Sequence, residues 1–132
     1  MSIRELATYL WMYDVGADEN AIMNSDISHK YMKMASELSH SWRNSSMIFV
    51  KTISEPSQEM CNKFVYDAGN RFAETTSTDT KTFFRYTYIT LFGKEQGPRL
   101  PTFINLFGID NFLNLLDKKM RDPFGIKEHF AI

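Results

Sequence analysis

Apolar residues recur at intervals of three and four along most of the chain, which is the period of an amphipathic α-helix. Ser2 and Glu5 have the spacing of a capping box, and they begin a helix that we predict over residues 3–14. Asp26 or Ser28 is a suitable cap for a second amphipathic helix. The apolar stripes are Ile3, Leu6, Ala7 and Leu10 in the first helix, and Tyr31, Met34, Ala35, Leu38 and Trp42 in the second.

The middle of the chain predicts two more helices. Ser54-Glu55-Pro56 places a capping side chain just before a proline, a combination that favours the first turn of a helix, and the apolar period continues to Phe72. A polar run rich in threonine follows, and Ser77 or Asp79 is expected to begin the next helix. One face of that helix carries Phe83, Phe84, Thr87, Tyr88, Leu91 and Phe92.

The C-terminal third predicts two shorter helices. Residues 101–107 form the first of them, which Gly108 ends, and Asp110 is expected to cap the second. Residues 122–125 contain a proline and a glycine that break the last helix. Residues 121–132 are then a tail with several apolar side chains.

These patterns together predict an all-α fold, a single-domain bundle of five to six helices over residues 1–132. Met47-Ile48-Phe49-Val50 is the best β-strand candidate, and the same run could also extend a helix. The length of 132 residues and a hydrophobic content of 43% are enough for one packed core.

The charge balance narrows the possible partners. The chain has 15 basic and 16 acidic residues, which gives a formal charge of -1 and no global attraction to nucleic acid. Any site for a polyanion must therefore be a local patch of positive charge. The sequence contains neither a signal-peptide pattern nor a long uncharged apolar run. We therefore expect a cytoplasmic protein that does not bind membranes.

The residues that usually support catalysis or metal binding are sparse. His29, His40 and His129 share no ligand spacing with Cys61, and this cysteine is expected to be a buried, inert thiol. Phosphate-binding glycine loops are missing as well. The sequence therefore predicts no catalytic residue, no metal and no cofactor.

The most informative segment is a corner between two predicted helices, Gly93 to Pro101, which should present Lys94 and Arg99 to solvent. Cations beside aromatic faces recognise single-stranded RNA loops. The alternative is structural: Arg99 caps a helix or pairs with Glu95, and the lysines near the C-terminus complement the dipole of the last helix. The candidate RNA-binding residues are Arg85, Tyr86, Lys94, Arg99, Lys118 and Lys119.

The corner, Leu91-Phe92-Gly93-Lys94-Glu95-Gln96-Gly97-Pro98-Arg99, followed by Phe103-Ile104-Asn105-Leu106-Phe107-Gly108, resembles the C-terminal helical region of class I lysyl-tRNA synthetases. Two upstream segments, Phe64 to Gly69 and Phe83 to Tyr88, resemble the segments that precede the corner in that family. The resemblance covers residues 59–120, and glutamyl-tRNA synthetases have a related Gly-Pro corner in their anticodon-binding region.

The resemblance implies a tRNA-recognition domain that binds the anticodon stem-loop of a lysine-tRNA ligase and is not catalytic by itself. Both ATP-binding signatures of the class I catalytic domain are missing, so we expect a fragment of an aminoacyl-tRNA synthetase or a free-standing relative. The implied partners are tRNA and the catalytic domain of the parent synthetase. The alternative function is a helical protein-interaction module that kept the synthetase-like fold.

Overall fold

The computed structural model describes residues 3–16, 29–52 and 57–125, and in the second of these ranges it describes side chains as far as Met47. The described residues form six α-helices and no strand, which confirms the predicted all-α bundle. The helices are α1 (Ile3–Val15), α2 (His29–Thr52), α3 (Gln58–Thr76), α4 (Thr80–Phe92), α5 (Leu100–Phe107) and α6 (Ile109–Arg121).

Several helix boundaries differ from those predicted. The strand candidate Met47–Val50 lies inside α2, so the helical alternative for that run is the right one. Helix α3 continues past Phe72 to Thr76 and ends at Ser77, whose left-handed φ of 56° lets the N–H of Thr78 bond the carbonyl of Ala73 at 2.9 Å. Ser77 therefore ends one helix and does not begin the next.

Two N-terminal caps were predicted at positions that the structure describes. Asp79 caps α4 as expected, because its Oδ1 accepts a 2.8 Å hydrogen bond from the N–H of Thr82. Asp110 is not the cap of α6: Gly108 holds that position, and the aspartate lies in the first turn, where its charge still favours the helix dipole. The predicted start of α3 at Ser54 is wrong, because Ser57 caps this helix and its hydroxyl oxygen accepts a 3.2 Å hydrogen bond from the N–H of Met60. The described residues do not include the remaining candidate caps Ser2, Asp26 and Ser28, nor Ser54 itself, His129 and the tail beyond Gly125.

The core is built around the indole of Trp42 on α2. The rings of Phe64, Phe83 and Phe112, from α3, α4 and α6, lie with their centroids 5.4, 5.1 and 5.3 Å from it. The indole N–H donates a 3.2 Å hydrogen bond to the hydroxyl of Thr87, which is itself fully buried. Trp42 therefore connects four helices through one side chain. The apolar stripes predicted for α1 and α2 are buried, except for Ile3, which is half-buried.

The prediction that Cys61 is a buried thiol is confirmed. Cys61 is a fully buried thiol, and burial raises its pKa. His29 and His40 are exposed on α2. Among residues 3–16, 29–52 and 57–125, no helix is both long and apolar enough to cross a membrane.

Candidate nucleic-acid interface

The predicted corner joins α4 to α5. Helix α4 ends at Gly93, which adopts a left-handed φ of 68° and donates its N–H to the carbonyl of Ile89. The chain then turns through residues 94–99, and α5 begins at Leu100 with Pro101 in its first turn. A glycine that ends one helix and a proline that opens the next thus produce the corner that the sequence predicts.

Side chains from α1 and α4 hold the corner at three points. The hydroxyl of Tyr13 donates to the carbonyl of Gly93 at 2.5 Å, at the start of the turn. The hydroxyl of Tyr88 donates to the carbonyl of Pro98 at 2.8 Å, at its end. Between these two points the guanidinium of Arg85 binds the carboxylate of Glu95. The loop is therefore fixed by contacts outside itself.

Gly97 lets the corner lie flat against α4. A Cβ atom at this position would come within 2.9 Å of the ring of Tyr88 and 3.0 Å of the ring of Phe92. Real Cβ atoms do not approach other atoms so closely, so a side chain here would lift the loop off the helix. The close approach keeps the hydroxyl of Tyr88 within reach of its carbonyl partner.

Lys94 and Arg99 are both exposed on this fixed loop. Arg99 occupies the N-cap position of α5, but its side chain makes no capping hydrogen bond. Glu95, the other structural partner considered for it, binds Arg85 instead. Arg99 therefore holds the cap position through its backbone alone, and Glu95 is paired with Arg85, so the exposed guanidinium of Arg99 is available to a ligand.

Arg85 has a different position from the one expected of an RNA contact. Its guanidinium lies between two carboxylates, with Nη1 at 2.5 Å from Asp14 and Nη2 at 2.7 Å from Glu95. Burial works against its charge, yet these hydrogen bonds raise the pKa of Arg85 above its ordinary value. The side chain, 31% exposed, connects α1 to the corner.

Asp14 is the half-buried end of this network. Its carboxylate accepts hydrogen bonds from Arg85 and from the hydroxyls of Tyr86 and Tyr31, the latter two at 2.7 and 2.9 Å. Burial alone would raise the pKa of this carboxyl, but the hydrogen bonds from Tyr86, Arg85 and Tyr31 outweigh it and lower the pKa below its ordinary value. The network therefore holds a negative charge in place on α1.

Tyr86 was predicted as a candidate RNA-binding residue, and the structure places it inside the bundle instead of on the surface. The residue is only 2% exposed, and burial raises the pKa of its hydroxyl, which donates to Asp14. A ring inside the core offers no face to a base. The helical period contained the signal, since Tyr86 follows the buried Phe83 by three residues and precedes the buried Thr90 by four.

Lys118 and Lys119 lie in the last turn of α6 together with Arg121. Lys118 is exposed and Lys119 is half-buried. Cations at the C-terminal end of a helix complement the negative end of its dipole, so this placement agrees with the structural alternative. Their contact with RNA stays a prediction.

Beside Arg99 the structure shows a groove that the sequence did not predict. It has a volume of about 430 Å³ and is lined by Pro98, Arg99, Thr102, Phe103, Leu106 and Phe107. Leu106 is 83% exposed and Phe107 is 42% exposed. The buried positions of α5 are Leu100, Pro101 and Ile104, so an apolar residue at position 106 falls off the buried stripe, and this was the available signal.

The described residues contain no cluster of three or more histidine, cysteine or carboxylate side chains that could hold a metal ion. The groups that the corner does contain are cations, aromatic rings and hydroxyls. Groups of these kinds can bind and orient an anionic or aromatic ligand.

Comparison with known proteins finds partial similarity to lysine–tRNA ligases. The chain is 36% identical over 62 residues to the lysine–tRNA ligase of Rickettsia bellii (strain OSU 85-389), a match that covers 47% of the chain and 11% of the ligase. It is 33% identical over 72 residues to that of Rickettsia felis, covering 54% and 13%, and 28% identical over 94 residues to that of Rickettsia prowazekii, covering 70% and 17%.

The chain thus spans between 11% and 17% of the length of these curated relatives. No protein-family model matches it, and no solved structure matches it. The similarity links the chain to one region of a synthetase and leaves the role of that region to be inferred from the site.

Proposed function

We propose that the chain is a tRNA-recognition domain, which binds the anticodon stem-loop for a lysine–tRNA ligase and performs no chemistry by itself. The observation that carries the proposal is the exposure of Lys94 and Arg99 on a corner that three outside contacts hold in place. In this proposal residues 59–120 form the synthetase-like part, and the protein acts in the cytoplasm.

The geometry suits phosphate recognition. Arginine presents a planar fork that matches a phosphate in two hydrogen bonds, and lysine adds a point charge. Because the backbone of the corner is fixed before binding, the loop itself has little conformational entropy to lose, and the remaining ordering cost is the rotamer freedom of the two side chains. A local pair of cations also agrees with a chain whose formal charge is only -1.

The partial similarity to lysine–tRNA ligases supports tRNA as the partner, since these relatives are named for joining lysine to tRNA. In this proposal the catalytic domain of a parent synthetase is a second partner. Arg85 positions the corner, because two carboxylates already occupy its guanidinium, while Lys118 and Lys119 remain candidates for additional phosphate contacts.

The test is the affinity of the chain for a lysine tRNA at several salt concentrations. We expect affinity to fall steeply with salt, and each of Arg99→Ala and Lys94→Ala to reduce the slope by roughly 0.7–0.9 if one phosphate contact is removed. The matched controls are Arg71→Ala and Lys81→Ala, which remove exposed cations of the same kinds from α3 and α4. The proposal would be overturned if neither corner substitution changed the affinity and the affinity did not depend on the salt concentration.

A further inference from the structure

The groove beside Arg99 exposes two large apolar side chains next to a cation. Leu106 and Phe107 follow each other at the end of α5, and both are exposed although both are large and apolar. Exposed apolar side chains that line one concave surface indicate a binding site more often than scattered ones do. The volume of about 430 Å³ falls within the range of roughly 300–1,000 Å³ that is usual for ligand sites.

The aromatic wall of the groove is rigid. The ring of Phe107 stacks on that of Phe103, with centroids 5.0 Å apart and planes inclined by 20°. Phe103 in turn meets Phe92 edge-to-face at 5.6 Å, and Phe92 stacks against Tyr88 at 6.3 Å. Phe107 is therefore the exposed end of a row of rings that begins at Tyr88, whose hydroxyl binds the corner.

The charge of the groove selects the kind of ligand. Of its six lining residues one is a cation and none is an acid, so the lining is positive. A flat aromatic ring beside a guanidinium fits a ligand that has both a flat face and a negative group. A nucleotide has both, whereas an apolar peptide segment would leave the guanidinium without a partner.

We propose that this groove binds one unstacked nucleotide of a single-stranded loop, with its base against Phe107 and Leu106 and its phosphate at Arg99. This inference rests on the proposed function and specifies which feature of the RNA the corner recognises. A base inside a duplex has both faces covered by its neighbours, so the groove discriminates a loop from a paired stem.

The experiment uses the full chain and an anticodon stem-loop RNA of lysine tRNA that carries the fluorescent base 2-aminopurine at each loop position in turn. Stacking on an aromatic ring quenches this base, so we expect quenching at one loop position when the wild-type protein binds. Phe107→Ala should abolish that quenching and weaken binding about tenfold or more, with an unchanged salt slope because no charge is lost. Phe107→Trp should restore both signals.

Leu106→Ala is a second variant, expected to weaken binding less, and its side chain is too exposed for the change to threaten folding. The control Met47→Ala removes another exposed apolar side chain, from α2, and should change nothing. A fully paired RNA duplex of the same loop sequence should bind weakly and equally to wild type and Phe107→Ala.

The outcomes separate this inference from the proposed function. If RNA binds, Arg99→Ala weakens it and Phe107→Ala does not, then the groove inference is wrong and the tRNA-recognition function stands. If neither the stem-loop nor the whole tRNA binds the wild-type chain at low salt, both are wrong. Equal affinity for loop and duplex would also overturn the groove inference.

Discussion

The guanidinium of Arg85 binds the carboxylate of Glu95 through two hydrogen bonds, with Nε at 2.9 Å and Nη2 at 2.7 Å from the same oxygen. This pair sets the chemistry of the corner in two ways. It pairs Glu95 with a residue other than Arg99, and Arg99 is exposed on the loop. It also makes the loop part of a network that continues through Arg85 to Asp14 on α1.

The two ends of this network should contribute unequally to stability. Asp14 is the less exposed carboxylate, at 16% against 55% for Glu95. We expect Arg85→Ala to lower the free energy of unfolding by about 2–3 kcal/mol, because it leaves the carboxylate of Asp14 without its cation, and Glu95→Gln to cost under about 1 kcal/mol. Urea unfolding followed by tryptophan fluorescence measures both, and an equal cost for the two variants would contradict the unequal partition.

The same network predicts how stability depends on pH. The folded state lowers the pKa of Asp14, so the folded protein binds fewer protons at this carboxyl than the unfolded chain. Its contribution is therefore complete above about pH 4 and is lost as the pH falls through the lowered pKa. Below about pH 4 we expect the urea concentration at the unfolding midpoint to decrease as the pH is lowered. The decrease should be less steep in Asp14→Asn, which lacks the titrating group. Identical acid profiles of the two proteins would show that other carboxyls control this range.

Gly97 offers a test of how tightly the corner is packed. Gly97→Ala would push a methyl group into the rings of Tyr88 and Phe92, and we expect a cost of about 1–3 kcal/mol together with weaker RNA binding. In a Tyr88→Ala background most of that additional cost should disappear, since the closer of the two rings is gone. A double-mutant cycle of unfolding free energies measures the coupling, and additive effects would show that the loop does not rest on that ring.

The buried hydrogen bond of the core gives a prediction that is independent of function. Thr87→Val keeps the shape of the side chain but leaves the indole N–H of Trp42 unpaired inside the bundle. We expect a loss of about 1–3 kcal/mol, and a smaller loss of about 1 kcal/mol or less for Thr87→Ser, which keeps the hydroxyl but removes a buried methyl group. Thermal unfolding followed by circular dichroism compares the two, and equal losses would assign the cost to the methyl group of Thr87.

The helical period alone was enough to predict most of the fold. The stripe that ends at Trp42 and the cap at Asp79 are local features, so the sequence contains them in full. The corner at Gly93 could be predicted for the same reason, because glycine adopts the left-handed conformation that ends a helix without strain and proline fixes φ at the start of the next. These are features in which neighbours along the chain determine the structure.

The site was less predictable because it depends on distant pairs. The partners of Arg85 lie 71 residues before it and 10 residues after it, and no pattern in the sequence joins them. Phe107 lies on the same helical stripe as the buried Leu100 and Ile104, so only the packing of α5 shows that it remains exposed. Leu106 and Tyr86 differ from it, because the helical period already separates the one from the buried stripe and places the other on it.

Ser77 is the residue at which a small substitution should stabilise the protein. It ends α3 with a φ of 56°, a left-handed conformation that costs energy for every residue with a Cβ, and it is the one non-glycine residue with positive φ in the described ranges. Glycine adopts this conformation without strain, and although the unfolded chain gains freedom, we expect Ser77→Gly to stabilise the fold by about 0.5–1 kcal/mol. The control Ser57→Gly, at the N-cap of the same helix, removes the hydroxyl that accepts the N–H of Met60 and should instead be neutral or slightly destabilising. Melting temperatures of the two variants decide the matter: if Ser77→Gly melts below the wild type, conformational strain does not govern the C-terminal end of α3.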